Sequence, residues 1–155
     1  MEDGSTEFVL NQFAWNKEAN VIYIESPAGV GFSLCPNASE CVFNDNSTAD
    51  DNIIALAILF TEKFPELHKN DLWLSGESYA GIYVPSLASR IHNHTMQQML
   101  HLKNYLPNFK GFLVGNAVTN WKYDTTQAFI EMAYSHQLID PKLYFDIKKN
   151  CPEYL

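Results

Sequence analysis

Leu72-Trp73-Leu74-Ser75-Gly76-Glu77-Ser78-Tyr79-Ala80-Gly81-Ile82-Tyr83-Val84 is the stretch that decides the fold of this 155-residue chain. Leu72-Trp73-Leu74 reads as a short buried strand breaking at Ser75-Gly76, and residues 80–92 read as a helix. Pro85 should bend that helix or delay its regular portion. Ser78 sits on the turn between them. A serine hydroxyl is thrust into a cleft from such a turn only when the residues two before and two after it are small. Gly76 and Ala80 are both small, although the strict pattern ends in glycine. The helix start offers a partial positive charge and the Tyr79 backbone N–H, which together suit an oxyanion. A purely structural serine in a strand-to-helix turn is the competing reading.

Working outward, Val21-Ile22-Tyr23-Ile24 is an apolar, β-branched run bounded by Asn20, Pro27 and Gly29, and it predicts a buried parallel strand. Residues 33–48 lack periodicity and read as a loop. A helix is expected over residues 48–64, with Thr48 as cap and Pro65 as stop. Its solid apolar centre predicts cover on more than one side. Downstream, residues 109–115 read as a third strand, 125–136 as a helix, and 141–151 as a helix opened by proline. Strand and helix alternate, so the fold class is α/β, with right-handed crossovers expected.

Hydrophobic residues make up 46% and charged residues 18%, enough for a packed core. The net charge of −8 disfavours nucleic-acid and anionic-membrane partners. The longest strictly apolar run, Ile53 to Phe60, falls short of the ~20 residues of a membrane span. Asn37, Asn46 and Asn93 each begin an N-glycosylation tripeptide. Two of these lie in the loop that carries Cys35 and Cys41, which points to a secretory route. In that compartment Cys35 and Cys41 could close a small disulfide loop and leave Cys151 unpaired; three reduced thiols are the alternative. No signal peptide is legible in Met1 to Ser5.

Three blocks carry a family resemblance. They are Gly76-Glu77-Ser78-Tyr79-Ala80-Gly81, the stretch Asn16 to Ser33 containing Ile24-Glu25-Ser26-Pro27-Ala28-Gly29, and Lys110-Gly111-Phe112-Leu113-Val114-Gly115-Asn116. Their order and spacing resemble the serine carboxypeptidases, the α/β-hydrolase group with cathepsin A-like lysosomal and vacuolar members. The resemblance runs from about Asn11 onward.

It implies a partial α/β-hydrolase fold: central parallel strands, the nucleophile elbow and the start of the cap, with residues from about 117 to 155 leading into the cap insertion. Ser78 resembles the acylated nucleophile, with Tyr79 as an oxyanion donor. Glu77 resembles the residue that recognises the substrate's C-terminal carboxylate, and Glu25 its hydrogen-bonded partner; a satisfied polar residue at a strand end is the alternative for Glu25. Two touching carboxyls share a proton, so such a pair would favour acidic pH. The resemblance implies no metal or organic cofactor. It also implies peptide substrates with a free C-terminus, a lysosomal, vacuolar or secreted location, and possible homodimers of the full-length protein.

In α/β-hydrolases the triad Asp and His follow the serine in chain order. His92, His94, His101 and His136 all read as structural or surface residues, as do Asp124, Asp140 and Asp146. The family's glycine-rich oxyanion loop has no counterpart in Met1 to Leu10. The chain therefore reads as an internal piece, expected to be poorly folded and inactive when expressed alone. A carboxypeptidase-like acyltransferase using the same Ser78, and a non-catalytic binding or protective module, are the rival functions.

Overall fold

The computed structural model describes residues 7–37, 39, 41–96, 105–121, 123–124 and 127–151. His101 and Thr125 lie outside them. The chain divides into two compact units, Met1–Cys41 and Val42–Leu155.

The second unit carries the regular structure. Helix α1 spans Asp45–Ile58 and is capped by Asn44, whose side chain accepts from the Asn46 and Ser47 amides while Ser47 answers with its hydroxyl. The expected cap, Thr48, is instead a buried residue within the first turns. Asn and Thr are comparable caps by type, and here the reciprocal box available to Asn44 and Ser47 decides the start. The helix ends in a π-type turn at Leu59–Lys63, where the Phe64 amide reaches the Leu59 carbonyl. Pro65 then opens a 3₁₀ turn, Pro65–Lys69.

Strand β1 (Asp71–Glu77) leads into α2 (Ala80–Met96), and β2 (Asn108–Gly115) pairs in parallel with β1. Asp71 faces Asn108 and Glu77 faces Gly115 in the register, which slips once between Leu72 and Trp73. The strand does not break at Ser75-Gly76; pairing with Val114 and Leu113 carries it on to Glu77. Pro85 lies inside α2 without ending it. Its missing N–H leaves the Gly81 carbonyl without the usual i→i−4 donor.

The core is one cluster of Ile53 and Leu56 from α1, Phe60 from the π-type turn, Leu87 and Ile91 from α2, and Leu106, with Leu72, Leu74 and Phe109 of the sheet against it. Helix spacing puts each set on one face. Arg90 binds the two helices at their polar edge, donating to Asp50 Oδ1 and to both the main-chain and side-chain oxygens of Asn46. Ile54 and Ile58 stay exposed at 58% and 42%, so α1 is covered on one side only, against expectation. The described residues place a helix on one face of α1 and nothing on the other.

Helices α3 (Gln127–Ser135) and α4 (Pro141–Asn150) form a hairpin. Asp140 caps α4 through the Leu143 amide. Tyr134 stacks on Tyr144 at 3.9 Å, and Glu131 accepts from both the Tyr144 hydroxyl and the Lys148 ammonium.

The first unit holds the 3₁₀ turn Trp15–Lys17 and a disulfide between Cys35 and Cys41; Cys151 is a free thiol in the second unit. Residues 21–24 form no strand. Tyr23 is 86% exposed, and the sheet has two strands among the described residues. An apolar β-branched run adopts ladder geometry only beside a partner, and the described residues give this one none. No helix among the described residues is long and apolar enough to cross a membrane.

Candidate active site

Ser78 stands where β1 ends and α2 begins, at the carboxyl edge of the parallel pair, the edge where open α/β sheets bind ligands. Its backbone is left-handed, with φ of +60°. A serine pays a steric penalty there, and such a conformation persists only when its surroundings hold it. Three hydrogen bonds do so. The Ser78 amide donates to the Gly115 carbonyl at 3.0 Å, and the Ser78 carbonyl accepts from the amides of Gly81 at 3.1 Å and Val118 at 2.9 Å. The tip of β2 and the loop after it therefore grip the turn from the neighbouring strand.

The small residues around the serine have distinct reasons. A Cβ at Gly76 would run into the Ala80 methyl and lie 3.1 Å from Val84 Cγ2. Glycine is thus required at 76 because alanine occupies 80; the pair has shared out the space that two glycines would leave open. At Gly81 a Cβ would strike the Val118 carbonyl oxygen and come within 2.9 Å of Ala117 Cβ. That close approach of the loop is a constraint the sequence reading did not separate from the rest of the hexamer.

Ser78 and Glu77 are both exposed. The Ser78 hydroxyl has no hydrogen-bond partner among the described residues. The amides of Gly81 and Ile82 are taken by the carbonyls of Ser78 and Tyr79, whereas the Tyr79 amide has no acceptor among the described backbone bonds, as expected at a helix start. The Tyr79 side chain is half-buried. Its ring packs on Tyr83 at 4.8 Å and Trp121 at 5.8 Å, and its hydroxyl donates to Asp45 Oδ1 at 3.2 Å. Partial desolvation, and then the Asp45 carboxylate, raise the Tyr79 pKa and keep the phenol protonated.

Glu25 belongs to the first unit. Its carboxylate accepts from the Phe32 amide, and its carbonyl accepts from the Ser33 hydroxyl at 2.7 Å. A Cβ at Gly31, whose φ is +53°, would overlap the Glu25 carboxyl group, so glycine there lets the acid fold into its own loop. The structure thus gives Glu25 a local partner.

The three acids read as structural, and His136 among the histidines, hold local positions. Asp124 accepts from the Thr119 hydroxyl and the amides of Thr119 and Asn120, which lower its pKa. Asp140 is the α4 cap and Asp146 pairs with Lys142. His136 lies at the end of α3 against the Met132 carbonyl. Of the glycosylation tripeptides, Asn37, Asn46 and Asn93 are all exposed. Asn37 accepts from the hydroxyl of Ser39, and Asn46 from Arg90. Among the described residues no group of His, Cys, Asp and Glu could hold a metal.

Comparison with known proteins decides the family. The serine carboxypeptidase family model matches residues 1–154. The chain belongs to the serine carboxypeptidase family. It is 42% identical over 153 residues to serine carboxypeptidase ctsa-4.1 of Caenorhabditis elegans, covering 97% of this chain and 30% of that protein. It is 43% identical over 143 residues to serine carboxypeptidase 24 of Arabidopsis thaliana, covering 92% of this chain and 30% of the relative. The crystal structure of Kex1(delta)p, a prohormone-processing carboxypeptidase from Saccharomyces cerevisiae, superposes with a TM-score of 0.69 at 28% identity, over 93% of this chain and 32% of that one. This serine carboxypeptidase chain therefore has a partial α/β-hydrolase fold and spans about 30% of the length of the relatives it matches.

Proposed function

We propose that the protein containing this chain is a serine-type carboxypeptidase acting through an acyl-enzyme on Ser78. The observation that carries the proposal is the left-handed Ser78 on the strand-to-helix turn, with its hydroxyl exposed beside a helix start. In the reaction, Ser78 Oγ attacks the last peptide carbonyl and its proton passes to a general base. The carbonyl oxygen becomes an oxyanion, which the Tyr79 amide meets with a hydrogen bond. The C–N bond breaks, the amine leaves with that proton, and water hydrolyses the acyl-serine. The base and its orienting acid are assigned outside this chain, because in α/β-hydrolases they follow the serine on later strands, and Asp124, Asp140, Asp146 and His136 hold local structural positions.

Glu77, exposed beside the nucleophile, is assigned to the substrate's terminal carboxylate, toward which its protonated carboxyl can donate. Glu25 keeps the role that its Glu-Ser-Pro-Ala-Gly block implies, the hydrogen-bonded partner of that acid, while its carboxylate also accepts from the Phe32 amide. The Cys35–Cys41 disulfide and the three exposed asparagines support a secreted, lysosomal or vacuolar glycoprotein. Dimerisation of the full-length protein is part of the same reading.

The test is turnover of a blocked dipeptide and of the same dipeptide as its C-terminal amide, using the longest product of the gene. The free acid should be the better substrate at acidic pH, and Glu77→Ala, which leaves no donor, should erase most of that preference. Equal turnover of acid and amide by the wild type would contradict the assignment of Glu77. Transfer of the acyl group to an added alcohol in place of water would make the protein an acyltransferase.

A further inference from the structure

The Ser78–Tyr79 peptide bond is trans, so the Ser78 carbonyl and the Tyr79 N–H lie in one plane and point in opposite directions. The direction of the N–H is therefore set by whatever holds the carbonyl. Two donors hold it, the Gly81 amide at 3.1 Å and the Val118 amide at 2.9 Å. One belongs to the first turn of α2. The other comes from the loop that follows β2, a separate element. Donors from two directions fix the rotation of the peptide plane, which a single bond leaves free to rock.

We propose that the Val118 amide, together with the absence of a side chain at Gly81, positions the Tyr79 N–H for the oxyanion. This rests on the reading of Ser78 and Tyr79 given above. Neither group touches substrate; both are positioning groups. Gly81 carries the argument because alanine is the stronger helix former and would ordinarily be preferred in this turn. At this position a Cβ would strike the Val118 carbonyl oxygen and lie 2.8 Å from its carbon. Displacing the loop would lengthen the Val118 bond to the Ser78 carbonyl and let the plane turn. The left-handed backbone at Ser78 needs the same restraint, since without it the turn relaxes toward ordinary angles. Gly115, which takes the Ser78 amide, completes the grip from the end of β2.

Two variants of the longest gene product test this. Gly81→Ala introduces the clash. Replacement of Val118 by its α-hydroxy analogue turns the donor N–H into an ester oxygen and adds no bulk. Each should lower kcat about 10- to 100-fold with KM changed by less than about twofold. Affinity for a peptide boronate, which forms a tetrahedral anion on the serine, should fall in step with kcat/KM. Affinity for the released amino acid should not change, and that split separates positioning from loss of structure. If Gly81→Ala does not fold, the ester variant decides. Wild-type kcat and boronate affinity in the ester variant would overturn the proposal while leaving Ser78 as nucleophile. Unchanged turnover in Ser78→Ala would overturn the underlying reading, and the positioning role with it.

Discussion

Ser78 is held by backbone atoms and by the space its neighbours leave empty. The Gly76–Ala80 contact makes this specific: the larger residue of the pair already fills the gap. Gly76→Ala should destabilise the protein by about 1–3 kcal/mol, read as a lower midpoint in denaturant, with labelling of Ser78 lost in proportion to folded protein. Tyr79 offers a second check. Its raised pKa comes from partial desolvation and from Asp45, so the contribution is complete below the ordinary tyrosine pKa of about 10 and fades as pH rises through the higher folded value. Asp45→Asn keeps an acceptor but removes the charge. The Tyr79 titration, followed by tyrosinate absorbance against a Tyr79→Phe control, should move down toward the ordinary value. An unmoved titration would mean that Asp45 does not act on the phenol. At this scale the sequence was most legible: the small–x–Ser–x–small pattern located the turn. What it could not give was the role of Gly81, because the loop that demands it lies more than thirty residues downstream.

Among the elements, helices and strands with a partner nearby were read closely, and those whose partner is absent were not. β2 was legible because an apolar run between turn residues pairs with β1 as expected. Residues 21–24 are also an apolar run, yet they form no ladder among the described residues; composition reports a capacity for burial and leaves the partner unnamed. The start of α1 was missed because a reciprocal cap depends on two side chains acting together. The α3–α4 hairpin leads to a pH prediction. Glu131 has a lowered pKa, owing first to Lys148 and then to Tyr144, and Lys148 has a raised one, owing first to Tyr144 and then to Glu131. The Glu131 contribution is present above about pH 4.3 and is lost on acidification; the Lys148 contribution is present below about pH 10.4 and is lost in alkali. Both groups are partly exposed, so salt should weaken the pair. Amide exchange across Pro141–Asn150 should speed up below pH 4 or in high salt, and Glu131→Gln should show the faster rate already at neutral pH. An exchange rate indifferent to salt and to that substitution would refute the coupling.

For the chain as a whole, the surface is the informative feature. Trp73, Phe112 and Leu113 on the sheet are 56%, 45% and 57% exposed, and Tyr23 and Phe32 are 86% and 94% exposed. Parallel sheets are ordinarily covered on both faces, and two strands seldom suffice alone. This chain by itself should therefore bind a hydrophobic dye and unfold without a sharp transition; a cooperative melt with no dye binding would contradict that expectation. Relatives about three times longer carry the matching segment within a larger protein, in which such faces can be covered. In the proposed mechanism Ser78 is a nucleophile whose base lies outside this chain. Labelling with a fluorescent fluorophosphonate at pH 5 tests it most directly, comparing this chain, the longest product of its gene and the Ser78→Ala form of that product. The expected result is labelling of the long product alone, with the label mapped to Ser78 and lost in Ser78→Ala. Labelling that survives Ser78→Ala, or labelling of the 155-residue chain itself, would contradict it.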